Sequence, residues 1–187
     1  MKFKLKQVAS IQTGIFAKPI TDGEIVYLQA KHFDLNGQLK TSLHPDLQRD
    51  NINERHFLRH GDVLFATKGT KNFAAWYMRN NAPAVASTSF FVIRMKEDVS
   101  SKVSPEFLVW YLNHPGTQKL LKGKAIGTAI ASISKIVLEE LEISITDIET
   151  QKAILYIVSL RNEEKKLKQQ IETLREKQIQ QQIINAI

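Results

Sequence analysis

From Asp147 to Ile187 the chain contains neither proline nor glycine. That absence constrains the fold more than any other feature, because these two residues interrupt helices most strongly. An unbroken helix here would run for roughly 40 residues, or ~60 Å at ~1.5 Å per residue. One small domain cannot cover such a length, so an apolar stripe along it requires a partner. The stripe has coiled-coil spacing. Leu160, Leu167 and Leu174 recur every seven residues, at d, and Ile157, Glu164, Ile171 and Gln178 fall at a. Past Leu174 the apolar set shifts to Ile179, Ile183 and Ile187. In a parallel, in-register dimer Glu164 would face its own copy, whereas in an antiparallel pair it meets a leucine. Its charge therefore favours antiparallel pairing. The sequence predicts a dimerisation surface of Ile157, Leu160, Glu164, Leu167, Ile171 and Leu174. Thr146-Asp147-Ile148-Glu149 fits a capping box at the helix start.

Residues 1–146 read differently, as a mixed α+β domain of short elements. "EIVYLQAKHF" has the β-branched and aromatic content of a strand, with an Asn36-Gly37 turn in the "LNGQL" behind it. "GDVLFAT" is a second strand, entered through Gly61. "AAWYMR" and "STSFFVIRM" are two more, separated by the turn-like "NNAPA". Then the period changes. "SPEFLVWYLNHP" predicts a helix with Ser104 as N-cap, Pro105 at the first helical position and Glu106 in the first turn, stopped at His114-Pro115-Gly116. "TQKLLKGKA" is a further short helix, "SKIVLEEL" another with Ser134 as cap, and "EISI" a short strand. The predicted organisation is a domain over 1–146 followed by a helix over 147–187 that forms an antiparallel coiled coil.

Several chemistries are missing from this pattern. There is no cysteine, which removes disulfides, thiol nucleophiles and cysteine zinc sites. The start, "MKFKLKQVAS", has no apolar run of the secretory kind. Apolar runs reach only six residues, as in "FLVWYL", far short of the ~18 residues of a membrane span. A cytoplasmic protein with no membrane partner is expected. Neither a phosphate-binding G-x-x-x-x-G-K-[ST] loop nor G-x-G-x-x-G is present. His56 and His60 are four residues apart, but with only Glu54 and Asp62 nearby they read as flanks of a loop before "GDVLF" rather than metal ligands. No nucleophile, base, metal site or cofactor loop stands out, so neither catalysis nor a cofactor is expected.

The charge points instead to a polyanion. The net charge is +7, a weak hint alone; its distribution says more. From Val63 to Lys96 there is no Asp or Glu, but there are Lys68, Lys71, Arg79, Arg94 and Lys96. From Phe107 to Leu138 there is again no acid, but there are Lys119, Lys122, Lys124 and Lys135. Acid-free, lysine-bearing windows suit a phosphate-facing surface, where a single carboxylate would repel the backbone.

The order "GDVLFATKG", "STSFFVIR", "SPEFLVWYL", "GTAIASISKIVLEELEIS", then Gln-x-x-Ile opening a long helix, resembles half of a type I restriction-modification specificity subunit. Gly61-Asp62-Val63-Leu64, Pro105-Glu106-Phe107-Leu108, Gly127 with Ile133, Leu138-Leu141-Ile143, and Gln151-Ile154 occupy the places of the family's motifs. The match covers nearly the whole chain. It departs from the family at "ITDIETQ", where prolines are usual, which bears on how the chain enters the helix.

The resemblance implies a non-catalytic target recognition domain that reads one half of a bipartite double-stranded DNA target, with the helix as ruler between halves. It implies adenine methyltransferase subunits, and in some systems restriction subunits, as partners. A full subunit holds two such domains and two antiparallel spacers. One of each here implies a homodimer. Base readout needs donors and acceptors on loops that enter a groove. The candidates are Gln29 and Lys31 after "VYL", and Thr67, Lys68, Thr70, Lys71 and Asn72 after "GDVLF". Ser87, Thr88 and Ser89 before a strand follow, and then Thr128 and Ser132. Ser134 is better read as a helix cap. Two other arrangements fit the sequence: the specificity region of a fused type II restriction-methylation enzyme, and a non-catalytic coiled-coil scaffold.

Overall fold

The computed structural model describes residues 1–34, 37–39, 43–50, 52–67, 72–78, 83–124 and 132–186. It divides into two compact units, Met1–Ile148 and Glu149–Ile187.

The first unit is mixed α+β and is built on a four-stranded antiparallel sheet. Its strands are β2 (Ala9–Thr13), β4 (Val63–Ala66), β5 (Ala74–Trp76) and β7 (Phe90–Met95), in the order β2-β7-β4-β5. Residues Val63, Leu64, Phe65 and Ala66 of β4 are all buried, as are Phe90 to Ile93 of β7. An unbroken apolar run is what a strand covered on both faces requires, in place of alternation. The two pair centrally, with Phe65 opposite Phe91 and Leu64 opposite Val92. A cluster of rings sits beside them, Phe33, Phe73 and Phe90, with centroids 5.6–6.0 Å apart. Such tilted and edge contacts stabilise a core beyond its buried area.

Two smaller pairings extend the unit. β1 (Lys2–Lys4) lies antiparallel to β8 (Glu142–Ser144), and β3 (Val26–Leu28) lies parallel to β6 (Ala84–Ala86). The strand expected over "EIVYLQAKHF" is thus only three residues long. Gln29 turns the chain into a 3-10 turn over Ala30–His32, in which the Gln29 N–H donates to His32 Nδ1. The Asn36-Gly37 turn lies partly outside the described residues. Its closure is visible from either side, where the Asp34 N–H donates to Gln38 O and Asp34 Oδ1 accepts from the Gln38 N–H. The N-terminal strands β1 and β2, with the short helix α1 (Leu5–Val8) between them, add elements that the sequence pattern did not single out.

The helices follow their caps. α2 (Glu97–Ser100) is one turn. α3 (Pro105–Asn113) starts where the Ser104 hydroxyl accepts from the Phe107 N–H at 3.0 Å, with Pro105 at the first helical position. His114 ends α3 and caps α4 (Pro115–Gly123), its Nδ1 accepting from the Gly116 N–H. The expected stop is therefore also a start. α5 (Lys135–Glu139) is capped by Ser134. Together α3 and the sheet bury Phe107, Leu108 and Leu112.

The second unit is formed by α6, which runs from Ile148 to Asn185, 38 residues without a break. Leu160, Leu167, Ile171 and Leu174 are 47–64% exposed along it. No helix among the described residues is long and apolar enough to cross a membrane.

Candidate nucleic-acid interface

The hydroxyl and amide residues singled out in the sequence fall in separate loops, yet the fold ties those loops together. Thr67 follows β4. Its N–H and its hydroxyl both donate to Ser89 O, at 2.9 and 3.2 Å, and its own carbonyl accepts from the Ile133 N–H at 3.1 Å. Ser89 Oγ meets Ser87 Oγ at 2.5 Å and accepts from the Ala30 N–H at 3.3 Å. The Ser87 N–H donates to Leu28 O. Segments 28–31, 66–67, 87–89 and 132–133 thus meet through one hydrogen-bonded knot.

The knot sorts the candidates. Thr67, Asn72 and Ser87 are buried, at 4%, 2% and 5% exposure, and the Asn72 amide donates to Ala66 O at 2.9 Å. Their polar groups are engaged with the protein's own backbone, as buried groups must be. Gln29, Ser89 and Ser132 are half-buried, while Lys31 and Thr88 are exposed. Lys68, Thr70, Lys71 and Thr128 lie outside the described residues.

The charges sort in the same way. In the first acid-free window Arg94 grips Asp62 through both Nε (2.8 Å) and Nη2 (2.6 Å), and Nη2 also donates to Phe57 O. This hydrogen bonding to Asp62 raises the Arg94 pKa above its ordinary value. Asp62 is 1% exposed and also accepts from the Arg59 N–H. The Gly-Asp pair thus serves the architecture. Gly61 takes φ +91°, which favours glycine, and Asp62 locks β4 to β7. Lys96 donates to Lys6 O and Gln7 O. The described cations of this window are therefore structural. In the second window Lys119 and Lys122 of α4, and Lys124 just after it, are exposed, while Lys135 pairs with Glu139 at 3.5 Å. His56 accepts from the Arg55 guanidinium, and desolvation, then the Arg55 charge, lowers its pKa. His60 packs edge-on to Trp76. Among the described residues no three or more His, Asp or Glu gather as a metal site would need.

One neighbouring segment escaped the sequence reading. Ile15 bridges to Ser87 in parallel, and its carbonyl accepts from the Thr88 N–H at 3.0 Å. Gly14 packs so closely that a Cβ there would lie 2.1 Å from Ser87 O. The signal was available: residues 1–21 contain no acid but do contain Lys2, Lys4, Lys6 and Lys18.

On α6, Glu164 pairs with Lys168 at 2.6 Å, one turn on along the same helix, and that hydrogen bond lowers the carboxyl's pKa.

A family model, type I restriction modification DNA specificity domain, matches residues 1–173. Among solved structures, the HsdS subunit from Thermoanaerobacter tengcongensis shares the fold at 23% identity and a TM-score of 0.68, over 91% of this chain and 44% of that one. The type I restriction-modification system S subunit from M. genitalium does so at 20% and 0.59, over 87% and 39%. A chain from a structural study of complex assembly and conformational transition in the type I R-M system matches at 17% and 0.59, over 88% and 38%. The chain spans about two fifths of the length of these structures. A search of curated proteins finds no match.

Proposed function

The chain belongs to the type I restriction modification DNA specificity domain family, and we propose that it reads one half of a bipartite DNA target for a methyltransferase complex. The observation that carries this reading is the knot joining segments 28–31, 66–67, 87–89 and 132–133. Four segments fixed to one another by backbone and side-chain hydrogen bonds make a rigid platform, and rigidity is what base discrimination needs. On this platform Thr67, Asn72, Ser87 and Ser89 hold the loops, and the readers are the side chains that face outward. Those are Lys31 and Thr88, with the half-buried Gln29 and Ser132 beside them; Lys68, Thr70, Lys71 and Thr128, which lie outside the described residues, join them as readers. Lys119, Lys122 and Lys124 supply phosphate contacts, which give affinity without sequence.

The chain itself transfers no methyl group and holds no cofactor. Adenine methyltransferase subunits, joined in some systems by restriction subunits, supply the chemistry in the cytoplasm. The recognition domain takes in residues 1–146 and the spacer residues 147–187. Ile157, Leu160, Glu164, Leu167, Ile171 and Leu174 pair with a second copy in an antiparallel coiled coil. Exposed leucines at seven-residue spacing on a 38-residue helix support this. Two-fold symmetry is the usual closed arrangement of identical chains. Two identical readers related by that axis select an inverted repeat split by a nonspecific spacer.

The test is methylome sequencing of a strain given this chain and an adenine methyltransferase subunit from the same genome. Methylation of a split inverted repeat is the expected result. Absence of new methylation, with both proteins expressed and co-purifying, refutes DNA recognition. A target with two unrelated halves refutes the homodimer.

A further inference from the structure

Phe16 is the most exposed aromatic side chain among the described residues, at 79%. Single exposed hydrophobics are ordinary on protein surfaces, so exposure alone says little. What sets this one apart is its mounting. The Tyr27 hydroxyl, on a ring 3% exposed, donates to Ile15 O at 2.9 Å and accepts from the Ala17 N–H at 3.2 Å. One buried phenol therefore clamps the backbone on both sides of Phe16. The Ile15 N–H donates to Ala86 O, the Thr88 N–H donates to Ile15 O, and Gly14 lies against Ser87 with no room for a side chain. A flexible loop would fold its phenylalanine inward to hide it from water. This segment is pinned so that the ring stays out, backbone to backbone with the exposed Thr88 of the reading platform. The segment itself, from Gly14 to Ile20, contains Lys18 and no acid, and the nearby Asp46 carboxylate accepts from the Tyr27 N–H at 2.8 Å.

We propose that Phe16 contacts the bases of the target half-site, as an apolar reader beside Thr88, and that Tyr27 positions it. The inference rests on the DNA-reading function proposed above. Phenylalanine in such a place either meets a thymine methyl in the major groove or wedges between base steps. Both require a ring held rigidly outward.

The experiment compares wild type, Phe16→Ala and Phe16→Tyr, each as the full chain with the methyltransferase subunit, on duplexes carrying the target found by methylome sequencing. Phe16→Ala should methylate the target roughly ten- to a hundredfold more slowly, the cost typical of one mismatched base pair. Its dependence on salt should match wild type, because the ring neutralises no phosphate. Phe16→Tyr should retain most of the rate. Melting of the Phe16→Ala chain should be unchanged, which excludes misfolding as the cause. Two further arms locate the contact. Uracil in place of one thymine should slow wild type but not Phe16→Ala if the methyl is read, and 2-aminopurine at the step should brighten with wild type alone if the ring is a wedge. Wild-type methylation matched by Phe16→Ala in rate and sequence preference overturns the role of Phe16 and leaves the DNA-reading function standing. Failure of wild type to direct methylation overturns that function, and this inference with it.

Discussion

Replacing Arg94 by leucine should cost the first unit about 3–5 kcal/mol, the usual range when the partner of a buried charge is removed. The magnitude follows from what Asp62 loses. Its carboxylate is 1% exposed and accepts three hydrogen bonds from side chain and backbone: Arg94 Nε at 2.8 Å, Arg94 Nη2 at 2.6 Å and the Arg59 N–H at 2.8 Å. Without Arg94, one backbone N–H remains for a full charge that water cannot reach. Each charge-assisted bond is worth ~1.5–3 kcal/mol, and the stranded charge adds a desolvation penalty. Phe57 O also loses the Nη2 donor at 2.9 Å. Against a domain stability of ~5–15 kcal/mol this is a large fraction, and it corresponds to a drop of roughly 10 °C in melting temperature. Urea denaturation followed by circular dichroism measures it, with the slope m unchanged if the native state keeps its shape. The double variant Asp62→Leu with Arg94→Leu is the decisive control. Removing both charges should be less damaging than removing Arg94 alone, because no unpaired charge is left behind. A destabilisation below ~1 kcal/mol for Arg94→Leu, or a double variant whose cost equals the sum of the Arg94→Leu and Asp62→Leu single variants, would refute the reasoning.

Three further outcomes follow from the same geometry. Leu167→Asp puts a charge into the proposed seam and should leave the chain monomeric in sedimentation, with methylation at the split site abolished in the reconstituted complex; a wild-type chain that is itself monomeric beside methyltransferase subunits defeats the seam. Glu140 accepts from both Lys4 and Lys6, and these bonds hold its carboxyl at about 2. A carboxyl held low in the folded chain stabilises it above the ordinary value of 4.5 and loses that contribution as pH falls toward 2. Glu140→Gln should therefore flatten the acid limb of a melting-temperature profile between those values, and an unchanged limb counts against the interaction. Lys68→Ala with Lys71→Ala should weaken binding at all DNA sequences alike and lower the slope of log K against log salt by about 0.9 for each phosphate that these lysines neutralise; a changed target with unaltered affinity makes them base readers instead.

Local signals in the sequence carried far. Ser104 and Ser134 each accept from the backbone N–H three residues on, as cap residues should, and the proline- and glycine-free segment is one helix. The central strands β4 and β7 were legible because both faces are apolar. What stayed hidden depends on contacts between distant residues. The parallel pairing of β3 with β6 joins Val26 to Ala84 across more than fifty positions, and nothing in either three-residue strand announces it. Charge read along the chain also misleads where a strand turns its side chain inward. Arg94 sits in an acid-free window, yet it is spent on Asp62, which lies just outside that window and directly across the sheet. Hydroxyls are ambiguous for the same reason. Thr67, Ser87 and Thr88 look alike in sequence, and only burial separates the two that hold loops from the one that faces outward.

The pairing of β1 with β8 gives the recognition domain a single doorway. The Met1 amino group reaches Ile145 O at 3.0 Å, and Lys2 lies opposite Ser144. Chain enters and leaves at neighbouring strands of one edge, so everything between behaves as a cassette. Such a cassette can be spliced into a longer polypeptide, repeated in tandem or exchanged for another of different loop sequence, without stretching the chain on either side. New loop sequences could then be acquired by swapping whole cassettes, while the flanking helix stays the same.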